Sequence, residues 1–199
     1  MRRLLAILIL CLPWPAFAAA LQIVLTDPAG RALPDAVVSA YPVRGAMPPL
    51  RIAGPYKVAQ QDVQFHPAVT IVPVGATVSF PNHDRFRHHV YSFSAPKRFE
   101  LKLYGRDESH SILFDKPGTV ALGCNIHDAM TAFVRVVDTP FAAKSGADGA
   151  LVLTGLPPGA LRLRVWHPRL KGHGNETEIP VTLPAAGLRR AIVLPVRPA

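Results

Sequence analysis

The segment Gly123-Cys124-Asn125-Ile126-His127-Asp128-Ala129-Met130 carries a thiol, an imidazole and a thioether in the spacing C-x2-H-x2-M. Upstream, the run Phe80-Pro81-Asn82-His83-Asp84-Arg85-Phe86-Arg87-His88-His89-Val90 ends in H-x-V at the start of a strand-like stretch, which offers a second imidazole. A soft thiolate and thioether suit Cu(I), and imidazoles suit Cu(II). The four donors His88, Cys124, His127 and Met130 therefore fit one copper ion that changes charge with little rearrangement. The Cys-His-His part alone would also satisfy zinc; the methionine at this spacing argues for copper. Two alternatives stay open at this level. Strand alternation sends one of His88 and His89 inward and the other away, and Met130 could instead fill an apolar gap, as methionine often does.

The thiol inventory sharpens the case for Cys124. The chain has two cysteines, and Cys11 falls in an N-terminal stretch that reads as an export signal. Arg2 and Arg3 form its basic start, Leu4 to Leu12 its short apolar centre, and Ala16-Phe17-Ala18-Ala19-Ala20 offers A-x-A cleavage sites after Pro13 and Pro15. That apolar centre is too short for a membrane span, which needs about 20 residues. Leu10 stands before Cys11, where a lipidated cysteine usually follows a small residue. Residues 1–18 are thus expected to be a signal peptide and the protein to be periplasmic. Cys124 is then left unpaired in an oxidising compartment, as an inert buried thiol, an intermolecular partner, a nucleophile or a metal ligand. Its neighbours favour the ligand.

Loss of Arg2 and Arg3 takes the formal charge from +9 to +7. No compact basic run interleaves with aromatics, so nucleic acid is not an expected partner. A basic surface of this kind can steer the protein toward an acidic redox partner or anionic lipid.

These donors must be held by strands. Leu21 to Thr26, Val69 to Val74, Thr77 to Phe80, His89 to Phe93, Ser111 to Phe114, Thr119 to Leu122 and Ala132 to Val137 are rich in β-branched and aromatic residues. Turn signals such as Asp27-Pro28-Ala29-Gly30 and Lys116-Pro117-Gly118 bound them. Twenty-one prolines argue against long helices. Period-two patterning places Leu161, Leu163 and Val165 on one face and Arg162, Arg164 and Trp166 on the other. The fold class is all-β. The stretch between His88 and Cys124 leaves room for about three strands of a Greek key.

Two resemblances organise the chain. Leu25-Thr26-Asp27-Pro28-Ala29-Gly30 through Val38 resembles the first hairpin of carboxypeptidase regulatory-like (transthyretin-like) domains, and Asp148-Gly149 through Gly155-Leu156-Pro157-Pro158-Gly159 resembles their middle. Between these halves, Phe65-His66-Pro67 and Val72-Pro73-Val74-Gly75-Ala76-Thr77-Val78-Ser79-Phe80-Pro81-Asn82 resemble the opening of cupredoxins of the plastocyanin, amicyanin and pseudoazurin kind. In that family the first histidine ligand follows the asparagine by six residues, which lands on His88, and the closing loop lands on Cys124, His127 and Met130. The tandem His88-His89 is similar to that of exported plastocyanin-like proteins of the methylamine-utilisation type. Three positions depart from the family pattern: His89 replaces an asparagine, Leu122 an often aromatic residue, and Asp128 a common proline.

The resemblances imply a Greek-key cupredoxin sandwich over 55–138, inserted into a second, small β-sandwich made of residues 19–54 and 139–199; the rival arrangement is two consecutive domains with a small irregular piece before the first. They imply a type 1 copper protein that carries single electrons between redox partners such as a c-type cytochrome or a periplasmic dehydrogenase. The alternative is an exported copper-binding protein for delivery or storage, with the second sandwich as adaptor. An enzyme is not expected, because only one ligand set is present. His83 and His110 are expected to be solvated, and His66, His167 and His173 to be structural or surface residues.

Overall fold

The computed structural model describes residues 19–198; the expected signal peptide, residues 1–18, lies outside them. The chain is all-β, with one short 3-10 turn at His173–Asn175. It opens with β1 (Ala19–Thr26) and β2 (Val37–Pro42). Residues 43–55 form no strand. Then follow β3 (Tyr56–Lys57), β4 (Ala59–Gln61), β5 (Gln64–His66), β6 (Val69–Pro73), β7 (Ala76–Pro81), β8 (His88–Ser92), β9 (Phe99–Tyr104), β10 (Ser109–Phe114), β11 (Gly118–Cys124) and β12 (Thr131–Val137). The chain closes with β13 (Ala142–Lys144), β14 (Ala150–Leu156), β15 (Gly159–Trp166), β16 (Glu176–Leu183) and β17 (Leu188–Val193).

The strands sort by partner into two sets. First and last strands pair with each other: one sheet runs β14-β1-β17 and another β13-β2-β15-β16. Their inward residues alternate with polar ones, as in Leu21, Ile23 and Leu25 of β1 and Leu161, Leu163 and Val165 of β15, and all six belong to one apolar core. The middle strands form sheets β10-β7-β3 and β6-β12-β11-β8-β9, with β4 and β5 as a hairpin. They enclose a separate core that includes Val78, Phe80, Val90, Phe114, Val120, Val134 and Met130. From His88 to Cys124 the chain runs along β8, β9, β10 and β11, so that two whole strands, β9 and β10, separate the two that carry these donors. The loops 93–98, 105–108 and 115–117 take up the remaining length.

A small third cluster of Val37, Val69 and Trp166, with Ile71 and Phe133 against it, joins the two sets. Here alternation in the sequence misleads. Trp166 shares a face with Arg162 and Arg164, yet only 1% of it is exposed, because the Phe133 ring packs edge-on against it at 5.2 Å. The polar face of β15 is solvated at one end and covered by the middle sandwich at the other. Arg135 lies over the same indole at 5.4 Å and its Nη2 donates to Glu176 Oε2 at 2.6 Å. Lys144 adds a second bridge, donating to Asp35 Oδ1 and to the Val69 carbonyl.

Candidate metal centre

Two of the donors sit at strand ends and two in the loop between β11 and β12. His88 is the first residue of β8, and alternation turns it inward, with no exposed surface. Cys124 is the last residue of β11, where its backbone pairs with Val90, and it is 3% exposed. The chain then leaves the sheet as a tight loop that returns into β12, closed by the Met130 N–H donating to the His127 carbonyl at 2.9 Å. Met130 is fully buried in the same core as Cys124, and His127 keeps partial exposure.

The structure brings His88, Cys124 and His127 together, with one donor atom of each within 4.8 Å of the others. Cys124 Sγ stands 3.8 Å from His88 Nδ1 and 3.8 Å from His127 Nδ1. The two imidazole rings are 5.0 Å apart and tilted by 58°. A nitrogen at about 2.0 Å and a sulfur at about 2.3 Å from one ion, at angles between tetrahedral and trigonal, lie about 3.5–3.7 Å apart. Both Cys–His separations are close to that requirement. Cys124 is the only free cysteine among the described residues.

The orientation of His88 has an identifiable cause. Its Nε2 lies 2.7 Å from Asp84 Oδ2. A carboxylate can only accept, so Nε2 carries the proton and the lone pair of Nδ1 faces Cys124. Asp84 is fixed in turn. Its two oxygens accept the backbone N–H groups of Asp62 (2.7 Å) and Val63 (3.0 Å), and its own N–H donates to Asn82 Oδ1. Burial pushes the Asp84 carboxyl up, but the hydrogen bonds from His88, Val63 and Asp62 outweigh it and hold the group below the usual carboxylate range. Asn82 is itself fully buried, donating through Nδ2 to the carbonyls of Phe86 and Tyr104. The 81–88 loop is therefore braced from inside.

His89 points the other way. Its Nε2 pairs with Glu100 Oε1 at 2.8 Å, and its ring begins a row with Tyr91 (5.8 Å) and Phe93 (a further 5.0 Å) on the outer face of β8. The imidazole that reaches Cys124 is that of His88. His66, His83, His110 and His173 are exposed, whereas His167 is 4% exposed in the other sandwich. Asp84 and Glu100 escaped the sequence reading. Each partners a histidine across an irregular loop or between strands, where neither helical nor strand periodicity carries a signal.

The surroundings of the cluster are mixed in character. Exposed Ile126 and Phe86 flank the loops that carry His127 and His88. A basin of about 470 Å³ opens beside Asp84, lined by Asp62, Val63, His83, Asp84, Arg85, Phe86 and Arg106. A second cleft of about 450 Å³ between the 48–51 segment and β12 contains none of these residues.

The middle strands thus form an all-β sandwich that brings a His-Cys-His cluster together where β8 begins and β11 ends. Among solved structures, this chain is similar to a Cu(I) form of a mutant amicyanin at 22% identity, over 41% of this chain and 81% of that one, with a TM-score of 0.38. It is similar to a purple cupredoxin from Nitrosopumilus maritimus at 19% identity, over 42% of this chain and 100% of that one, with a TM-score of 0.38. It is also similar to a copper-containing nitrite reductase from Thermus scotoductus at 31% identity and a TM-score of 0.41; the match spans 58% of this chain and 28% of the reductase. No protein-family model and no curated protein matches the sequence.

Proposed function

We propose that His88, Cys124, His127 and Met130 hold a single copper ion and that the protein is an exported one-electron carrier. The observation that carries this reading is the convergence of two imidazole nitrogens and a thiol sulfur, at separations suited to one ion, in a pocket with one partly exposed donor. When bound, copper in such a site supplies a Cu(I)/Cu(II) couple. The chain's own residues supply the rest. The apolar core around Cys124 and Met130 excludes water, Asp84 holds His88 in one tautomer, and β8 and β11 fix the buried donors on rigid strands. His127 is the donor that a partner can approach. Exposed Ile126 next to His127 offers apolar contact surface, and exposed Arg85 and Arg87 flank exposed Phe86 on the loop before His88, which suits an acidic redox protein such as a c-type cytochrome or a dehydrogenase.

In this reading residues 1–18 direct export to the periplasm, residues 55–138 are the copper domain, and 19–54 with 139–199 form a carboxypeptidase regulatory-like sandwich that serves as adaptor. A second reading is copper delivery or storage, favoured by exposed Asp128 beside His127, which puts a carboxylate at the mouth of the site.

The test is the visible and EPR spectrum of the protein lacking residues 1–18 after addition of Cu(II), followed through ascorbate reduction and reoxidation. A strong thiolate band with narrow hyperfine splitting, which bleaches and returns and is absent in Cys124→Ser, supports the carrier. Bound copper with no such band, and ready transfer of Cu(I) to a chelator, overturns the carrier in favour of delivery.

A further inference from the structure

The hairpin turn between β4 and β5 is unusual for its residues. Asp62 has φ 54° and Val63 φ 56°, both in the left-handed region. For a β-branched residue such as Val63 this conformation is a genuine outlier, costing about 1–3 kcal/mol. Asparagine or glycine would serve the turn better. What the conformation achieves is visible in its hydrogen bonds. The two consecutive N–H groups point outward together and both reach Asp84, one to each oxygen, from more than twenty residues away. Such a concavity of adjacent N–H groups suits an anion, and here the anion is a side chain of the same protein. The carboxylate that it holds spends its remaining capacity on His88 Nε2 at 2.7 Å. The basin lined by Asp62, Val63 and Asp84 leaves 11% of the Asp84 side chain exposed, while His88 has no exposure at all.

We propose that Asp84, clamped by the Asp62–Val63 turn, is a positioning residue of the metal centre: it locks His88 with Nδ1 free for the ion and sets a fixed negative charge behind that ligand, so that the site holds Cu(II) more tightly relative to Cu(I). This rests on the copper reading above for its electrostatic half; the tautomer half concerns the protein alone. A hydrogen-bonded carboxylate behind a ligating imidazole raises its basicity, and loss of such a partner typically weakens metal binding 10- to 100-fold. The loss falls more heavily on the doubly charged ion, because the charge removed is negative and close. Among the described residues, no other side chain hydrogen-bonds His88 Nε2. Asn82 Oδ1 accepts from the Asp84 backbone, and its Nδ2 is committed to two carbonyls.

The experiment has two parts. In metal-free protein, nitrogen-15 NMR of the histidines should show His88 as the Nε2–H tautomer, and Asp84→Asn should lose that exclusive preference, whereas Asp84→Glu should retain it. In copper-loaded protein, Asp84→Asn should lose about 10-fold more Cu(II) affinity than Cu(I) affinity, read as a rise of about 59 mV in reduction potential. Asp84→Glu should stay near the parent value. An Nδ1–H tautomer in the parent protein overturns the proposal whether or not any variant folds. So does an Asp84→Asn variant with the parent's tautomer and potential. A parent protein without the thiolate band, but with His88 held as Nε2–H, would sink the carrier reading while leaving the clamp in place.

Discussion

The contact between the two sandwiches includes one largely buried ion pair, and its removal has a calculable consequence. Arg135 is 6% exposed in its side chain and Glu176 27%, at 2.6 Å. The Arg135 guanidinium keeps two further contacts, a hydrogen bond to Thr119 and the face of Trp166. Breaking a fully buried pair by deleting one partner costs about 3–5 kcal/mol. Water reaches Glu176, and the remaining contacts partly satisfy the guanidinium, so about 2 kcal/mol is expected for Glu176→Gln. For a chain of this size that lowers the melting temperature by about 4–8 °C. The double variant Arg135→Met with Glu176→Gln should be milder, within about 1 kcal/mol of the parent. It removes the stranded charge and sets an apolar chain against Trp166 and Phe133. Trp166 is the one tryptophan after the expected signal peptide, so its fluorescence during urea unfolding reports on this contact directly. Equal or greater destabilisation in the double variant would refute the account of Arg135 as a charge kept buried by its partner.

Three further outcomes follow from individual side chains. Met130 has no exposed surface, so Met130→Ala should cost about 2–5 kcal/mol and Met130→Leu less than about 1.5 kcal/mol by denaturant unfolding. In copper-loaded protein Met130→Leu should in addition shift the reduction potential, and an unchanged potential would make Met130 a core residue only. Gly123→Ala should destabilise by about 1–3 kcal/mol, because the new Cβ would sit 2.8 Å from the Tyr91 ring; the penalty should largely vanish in a Tyr91→Ala background, as a double-mutant cycle would show. His167 has its pKa lowered below 6.5 by burial, with the charge of Arg169 acting in the same direction. Between the two values the unfolded chain binds more protons than the folded one, so stability should fall as pH drops below about 6.5. His167→Gln should reduce that slope when unfolding is compared at pH 7.5 and pH 5, and an unchanged slope would rule His167 out as its source.

Much of this could be read along the chain because it is local. The thiol, imidazole and thioether of Cys124, His127 and Met130 fall in one loop, so their spacing alone assembles three of the four proposed donors. Strand alternation separates His88 from His89, and the β-branched runs name the strands that carry them. Turn residues mark where those runs end. Other features arise only between distant segments. Asp84 meets Asp62 and Val63 because the β4–β5 hairpin lies against the 81–88 loop, and no pattern within either segment announces a carboxylate that aims a histidine. Trp166 sits on the polar side of its strand by sequence, yet it is buried, since a face is polar or apolar only relative to what packs on it. Gly123 is an unremarkable strand residue until Tyr91 of the neighbouring strand lies across it. The parallel pairing of β1 with β17 joins the two ends of the described chain. Sequence periodicity thus indicated which runs form strands and put His88 and His89 on opposite faces. Pairing, which depends on surfaces brought together over long loops, decided what each face meets and how the ligand histidine is held.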